Sequence, residues 1–468
     1  MCLIDQERYK KFGRVFGAFE QGKPCLFVAE PDLIKQVLVK DFTRLPNRVL
    51  GKTSIPVLDN MIIRAPVERW RPIRTTTSPA FSTGKLRKMN SMIQKCAMIM
   101  SNHLNEAAET KEDVDLRRLY GHYTLDVIAR CAFGTIINSH VETSNVFVEN
   151  VNKLFSERRM SWRIAVAMLF PGLMKYFPRI MKERRQAGKR HEDFLQLMMD
   201  AQEGCLASAE DSTEEPENEI FDVGCDTKLS STKNNKRLSE LEATAQCVIF
   251  FLSGQEAVST TITFAAYHLA LNPIIQEKLQ KEVEECIAAN GSEPSLDVIS
   301  KLKYLHCVVS ETLRILPIAS RLERCGYEDY VFGDTGIKLP KGCTVYIPVY
   351  ALHHDPEFFP DPESFKPERF SEENVGSIRP YTYLPFGAGP RNCIGNRFVI
   401  LTIKLCLFHS VRSVEFTRTS KTKVPLSIKR GLGGLCTEDV TLGIQKRRDQ
   451  RLGGGGLEKY AQLTSENT

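Results

Sequence analysis

A chain of 468 residues, 42% hydrophobic and 26% charged, has an ordinary globular composition and enough apolar residues for a large core. A formal charge of +6 is too small to argue for a nucleic-acid partner; it fits a solvated surface that suits acidic partners or anionic lipid. The 14 cysteines run from Cys2 to Cys436 with no C-x-x-C pair and no secretory signal, which argues against a disulfide framework and for reduced thiols on the cytosolic side.

In chain order, Pro24–Glu30 reads as a strand, and Pro31 opens a helix with Leu33, Val37 and Leu38 on one side. Lys85–Ala108 and Leu119–Cys131 read as helices, the second with a Leu125, Ile128, Ala132 stripe. No apolar run reaches the ~18–20 residues that span a bilayer. The best stretch, Ile164–Met174, is interrupted by Pro171. From Glu203 to Lys236 the composition turns polar, and an exposed, mobile loop is expected across 203–240. A long helix then runs from Leu238 to Asn272-Pro273; it is apolar nearly all round, so it should cross the core. Helices follow over Gln276–Asn290 and Lys301–Pro317. Pro- and Gly-punctuated short strands are expected up to Phe370, with His353-His354 surface or structural. Ile394–Val411 reads as another buried helix, and residues 447–468, which include four consecutive glycines, as a flexible tail. The expected fold is mainly α with a small β part, one domain over 1–446.

The chemistry concentrates in PFGAGPRNCIG, Pro385–Gly395, just before that last helix. A thiolate ligand must be deprotonated, held rigidly and shielded from water. A helix N-terminus lowers a thiol pKa. Gly387, Gly389 and Gly395 allow turns and close approach; Arg391 can pair with an anionic group, and Phe386 can cover one flank. A lone cysteine is ordinarily a buried, inert one. Here, however, the pattern F-x-x-G-x-R-x-C-x-G is filled at every fixed position. It resembles the haem-binding signature of the cytochromes P-450, the haem-thiolate monooxygenases.

That resemblance implies a triangular helical prism and haem b, iron protoporphyrin IX, with Cys393 as the iron ligand. Glu311 and Arg314, three apart on one helix face, would pair. The resemblance joins them to Arg369 of KPERF in a buried brace. Trp70 and Arg74 match the family's W-x-x-x-R, whose members hold haem propionates; Arg324 and Arg48 resemble further propionate contacts. The similarity extends from Tyr9 to Gln445 and is nearest to the microsomal, drug- and steroid-oxidising family-3 clan. The quoted stretches FFLSGQE, HEDFLQLMMDAQ, ALHHDPEFF and GPRNCIGNRF carry it. The implied reaction inserts one oxygen atom from O2 into an apolar organic substrate (xenobiotic, steroid or fatty-acid-like). Electrons would come from an NADPH-dependent flavoprotein reductase, with cytochrome b5 as a further partner, at the cytosolic face of the endoplasmic reticulum membrane. Arg69, Arg71 and Arg397 are the basic face such a reductase would meet.

The long helix departs from the family. Gly254 matches the small residue that leaves room for dioxygen, and Glu256 matches the acid. Ala257 and Val258 stand where two threonines are usual. Glu256 is the expected proton-relay residue, with Ser259 as the next hydroxyl. The missing threonine leaves open an isomerase that rearranges a peroxide without O2, as in the thromboxane-synthase type. The stretch between Phe170 and Phe194 is short for the two helices that roof the family's pocket. No membrane helix or Pro-rich hinge precedes the first globular helix. Skipped coding segments would account for both, and leave open a non-catalytic haem- or ligand-binding chain.

Overall fold

The computed structural model describes residues 2–20, 22–48, 53, 55–140, 148, 162–188, 190–204, 237–332, 335–430, 434–437 and 439–447. The loop expected across 203–240 and the tail from 447 fall, but for their edges, outside these residues. The helices are α1 (Cys2–Phe12), α2 (Pro31–Lys35), α3 (Pro56–Asn60), α4 (Val67–Thr77), α5 (Thr83–Thr110), α6 (Leu116–Phe133), α7 (Trp162–Ala187), α8 (Phe194–Glu203), α9 (Glu240–Leu271), α10 (Pro273–Asn290), α11 (Leu296–Ser300), α12 (Lys303–Ile315), α13 (Val349–His353) and α14 (Asn396–Ser413). The fold is mainly helical, as expected.

Helix α9 is the spine. Ser239 starts it with a capping box: its hydroxyl accepts the Glu242 N–H, and Glu242 Oε2 accepts the Ser239 N–H at 2.9 Å. Asn272 ends it, and Pro273 begins α10 at the N1 position that tolerates a missing N–H. In length and composition α9 could cross a membrane, contrary to the sequence reading. Two-thirds of its most apolar window is buried inside the protein, which marks a core helix. It packs on α6, whose N-cap Asp115 accepts the Arg117 N–H at 3.1 Å. The backbone of α7 runs through Pro171 without a break.

The β part is small. A four-stranded sheet has the order β1 (Val15–Glu20), β2 (Lys23–Val28), β7 (Thr344–Ile347), β4 (Leu322–Cys325). The β2–β7 pair is parallel, with Cys25 beside Thr344; β4 runs antiparallel to β7, with Glu323 opposite Tyr346. A three-stranded sheet joins β3 (Asp113–Asp115), β11 (Thr441–Lys446) and β8 (Val414–Thr417). Two ribbons pair β5 (Tyr330–Phe332) with β6 (Ile337–Leu339), and β9 (Ile428–Arg430) with β10 (Leu435–Thr437).

The short strands expected up to Phe370 stop at Ile347. Val349–His353 is helical, and Pro367–Phe370 forms a 3-10 turn. Proline at 356, 360, 362 and 367 withholds ladder donors there. The twelve described cysteines are all free thiols.

Candidate active site

The cysteine loop is tied at both ends. The Cys393 N–H donates to the Phe386 carbonyl at 2.9 Å, and the Asn392 N–H to the Gly389 carbonyl at 3.0 Å. Gly387 and Gly389 take φ values of +73° and +71°, where a side chain is strained. A Cβ on Gly389 would also fall inside contact distance of the Leu38 carbonyl. Gly395 differs from expectation. Its φ is −97°, and a Cβ there would meet only the Phe81 ring at 3.6 Å, an ordinary contact.

Arg74 reaches the loop from α4, donating from Nη1 to the Asn392 carbonyl at 2.8 Å and from Nη2 to Asn392 Oδ1 at 2.7 Å. Cys393 lines a cavity of ≈ 310 Å³ together with Arg48, Trp70, Arg74, Phe386, Arg391 and Gly395. Its upper wall is α9, through Ile249, Phe250, Ser253, Gly254, Ala257 and Thr261. In the protein chain alone, burial pushes the Cys393 thiol up. The Gly395 N–H, Arg74 and Arg48 pull the other way without winning, so the lowered pKa expected from the helix terminus is not reached.

At the edge of the cavity sits a cluster of buried cations. Arg391 stacks over Trp70, 4.6 Å from the ring centroid, and spends Nη2 on the Ala65 carbonyl at 3.0 Å. Its Nε and Nη1 find no acceptor. Arg324, also buried, has an unpaired Nε. Arg48 donates to the Arg391 carbonyl at 2.9 Å. Burial, then the Arg48 charge, depresses Arg391 to about 9; burial, then Arg48 and Arg391, puts Arg324 well below its ordinary value. Buried guanidiniums that repel one another and keep free N–H groups fit a dianionic ligand. Arg324 is not among the residues that line the cavity, but it feels the charges of Arg48 and Arg391. Among the described residues no three His, Cys, Asp or Glu side chains could hold a metal ion. The residues present fit a porphyrin with two carboxylates.

Residues Ser253, Ala257 and Thr261 are four apart and share one helix face. Ser253 Oγ donates to the Ile249 carbonyl at 2.6 Å, and Thr261 Oγ1 to the Ala257 carbonyl at 2.9 Å. Ser259, expected at the site, is buried on the far side, donating to the Gln255 carbonyl at 2.8 Å. Glu256 is also off the cavity lining, and its charge is felt by Cys436 of β10. Neither side chain lines the cavity, for one reason: positions 256 and 259 stand about 100° and 200° round the helix from Ala257. A spacing argument centred on Ala257 finds Ser253 and Thr261 instead. Gly254 lines the cavity, and a Cβ there would approach Ile128 Cδ1 of α6 to 3.1 Å.

The brace behind the loop is complete. Arg314 Nε and Nη2 clasp Glu311 at 2.7 and 2.9 Å, both side chains fully buried. Arg369 Nε reaches Glu311 Oε1 at 3.4 Å, and the Lys366 N–H donates to the same oxygen at 2.9 Å. Arg314 Nη1 donates to the His353 carbonyl at 2.8 Å. His353 and His354 are buried, the first wholly, so neither is a surface residue. Of the basic trio, Arg69 is tied to Glu242 at 2.7 Å, Arg397 reaches Thr83 at 3.3 Å, and Arg71 is exposed.

A family model described as Cytochrome P450 matches residues 3–441. The chain belongs to the cytochrome P450 family. It is 35% identical to Cytochrome P450 3A7 of Homo sapiens, over 96% of this chain and 88% of that protein. With Cytochrome P450 3A41 of Mus musculus it shares 36% identity over 91% of this chain and 84% of the relative. Cytochrome P450 3A5 of Homo sapiens is also 36% identical, over 91% and 83%. This P450 is thus a haem-thiolate monooxygenase that uses O2 and electrons passed from NADPH by a reductase.

Proposed function

We propose that this P450 binds haem b with the Cys393 sulfur as its only protein ligand and oxidises apolar molecules held beneath α9. The observation that carries this reading is the meeting of one loop cysteine, the under-satisfied buried guanidinium of Arg391 beside Arg48, and an apolar wall of α9 in one cavity. When bound, the haem supplies dioxygen activation at its iron. Arg391 and Arg48 would hold the propionates, with Arg324 adding its charge from off the cavity lining, Trp70 packed under Arg391 and Arg74 fixing the loop through Asn392. Glu311, Arg314 and Arg369 keep the ground behind the loop from moving. Ile249, Phe250, Ile62 and Leu313 exclude water and orient an apolar substrate.

Protons need a carrier on the cavity face, which Ala257 cannot be. Ser253 Oγ holds one there: rotating off the Ile249 carbonyl, it can accept from water and donate into the cavity. Thr261 is the second cavity hydroxyl, one turn beyond Ala257. Arg71 and Arg397 belong to the face that meets an acidic flavoprotein reductase or cytochrome b5, and the protein works at the cytosolic face of the endoplasmic reticulum membrane.

The test is reductase-driven turnover of a panel of steroids, drugs and fatty acids under 18O2. One labelled oxygen per product, dependent on NADPH, is the expected result. Peroxide rearrangement without reductase, together with no label under NADPH, would replace this reading with an isomerase.

A further inference from the structure

Strand β4 carries a carboxylate that none of the roles above uses. Glu323 lines the cavity, opposite Tyr346 in the sheet, and is half-buried. Alternation along the strand puts it on the other face from Arg324. Its carboxylate makes no hydrogen bond and no ion pair with any described residue; only its backbone carbonyl is engaged, accepting from Arg324 Nη1 at 2.8 Å.

Four cations stand near enough to be felt by Glu323, yet none pairs with its carboxylate. Arg321 is clasped by Asp5 and lies 3.3 Å from Glu20. Arg64 sits 3.8 Å from Asp59. Arg48 is turned to the Arg391 carbonyl, and Arg324 to the backbone of Glu323 itself. Burial outweighs the combined pull of the four, and the carboxyl pKa is raised. Propionates drawing on Arg48 and Arg391 would leave this carboxylate still less compensated. A half-buried carboxylate on the cavity wall with no ion-pair partner among the described residues offers a bound ligand a site for a cation.

We propose that Glu323 is a recognition site for a positively charged nitrogen, so that this P450 selects amphiphilic amines: an apolar body beneath α9 and an ammonium group at β4. The proposal rests on the cavity being the substrate site. It separates substrates by charge where the rest of the lining separates them by shape.

Equilibrium dialysis of the haem-loaded protein against two matched ligands tests it. One is 4-phenylbutyl-trimethylammonium, which has no lone pair to coordinate iron; the other is its neutral tert-butyl isostere. The wild-type protein should bind the cation at least tenfold more tightly. Glu323→Gln should bring the ratio to about one through loss of cation binding alone, with the neutral ligand's Kd unchanged. Glu323→Asp, which keeps the charge, should retain a preference for the cation. A wild-type protein that binds both ligands equally overturns the Glu323 assignment and leaves the cavity reading standing. A preference that survives in Glu323→Gln overturns it too. Binding of neither ligand overturns the cavity reading and the proposal together.

Discussion

His353 accepts the backbone N–H of Leu384 on Nε2 at 2.8 Å while its Nδ1 faces the Arg314 carbonyl at 3.1 Å. Since Nε2 accepts, Nδ1 carries the proton and donates. One neutral imidazole thus links the Glu311–Arg314 brace to the chain just before the cysteine loop. His353→Ala strands a buried N–H and a buried carbonyl, each costing about 1–3 kcal/mol. We expect a loss of about 2–6 kcal/mol in urea unfolding, with faster haem release to apomyoglobin. Unchanged haem retention would show that the link does not support the loop.

His353 is not alone in being held neutral. Burial depresses His122 and His409 to about 4, His140, His268 and His306 to about 3, His353 well below its ordinary value, and His354 in the same direction. Unfolded, each titrates near ~6.5. Below that pH the unfolded chain therefore binds protons that the native protein refuses. Stability should be full above ~6.5 and fall as pH drops, by up to about 1.4 kcal/mol per pH unit for each such histidine. Unfolding free energies at several pH values between 5 and 7.5 check this, above the main carboxylate range. A flat or rising profile on acidification would contradict the burial of these rings.

The glycines of the loop separate by conformation. Gly389→Ala combines a positive φ with a backbone collision at Leu38 and should cost more than about 2 kcal/mol. Gly395→Ala meets only the Phe81 ring in ordinary contact and should stay within about 1 kcal/mol. Thermal midpoints of the two variants, measured side by side, decide it. Equal losses would mean that φ is not what requires glycine in this loop.

Hydroxyls on opposite sides of α9 should behave differently. Ser253→Ala removes the cavity-facing proton carrier and should raise hydrogen peroxide released per NADPH consumed severalfold. Ser259→Ala, on the buried far side, should leave that ratio unchanged. The opposite ranking would restore Ser259 to the relay and displace Ser253.

Much of this protein is legible in its residues. Helix α9 shows itself through a stretch that is apolar nearly all round and that Asn272-Pro273 stops. The cysteine loop shows itself through fixed residue types at fixed spacing. What escapes is made by chain segments far apart. Arg69 belongs to the α9 cap through Glu242, 173 positions away, so it reads as a free surface charge until the fold is seen. His353 reads as a loop residue because its partners lie 31 and 39 positions off. Glu323 looks like any strand carboxylate, since its lack of a partner is a property of the packing. Ser253 is the exception: its four-residue offset from Ala257 is present in the sequence, and matching the family's acid position drew attention to Glu256 instead.

The central claim is the bond between Cys393 sulfur and iron. The absorption spectrum of the reduced, carbon monoxide-bound protein tests it most directly. The account predicts the strongly red-shifted Soret band of thiolate ligation in the wild-type protein, and its loss in Cys393→Ala. A band at the ordinary position for imidazole ligation, or a red-shifted band that persists in Cys393→Ala, would contradict it.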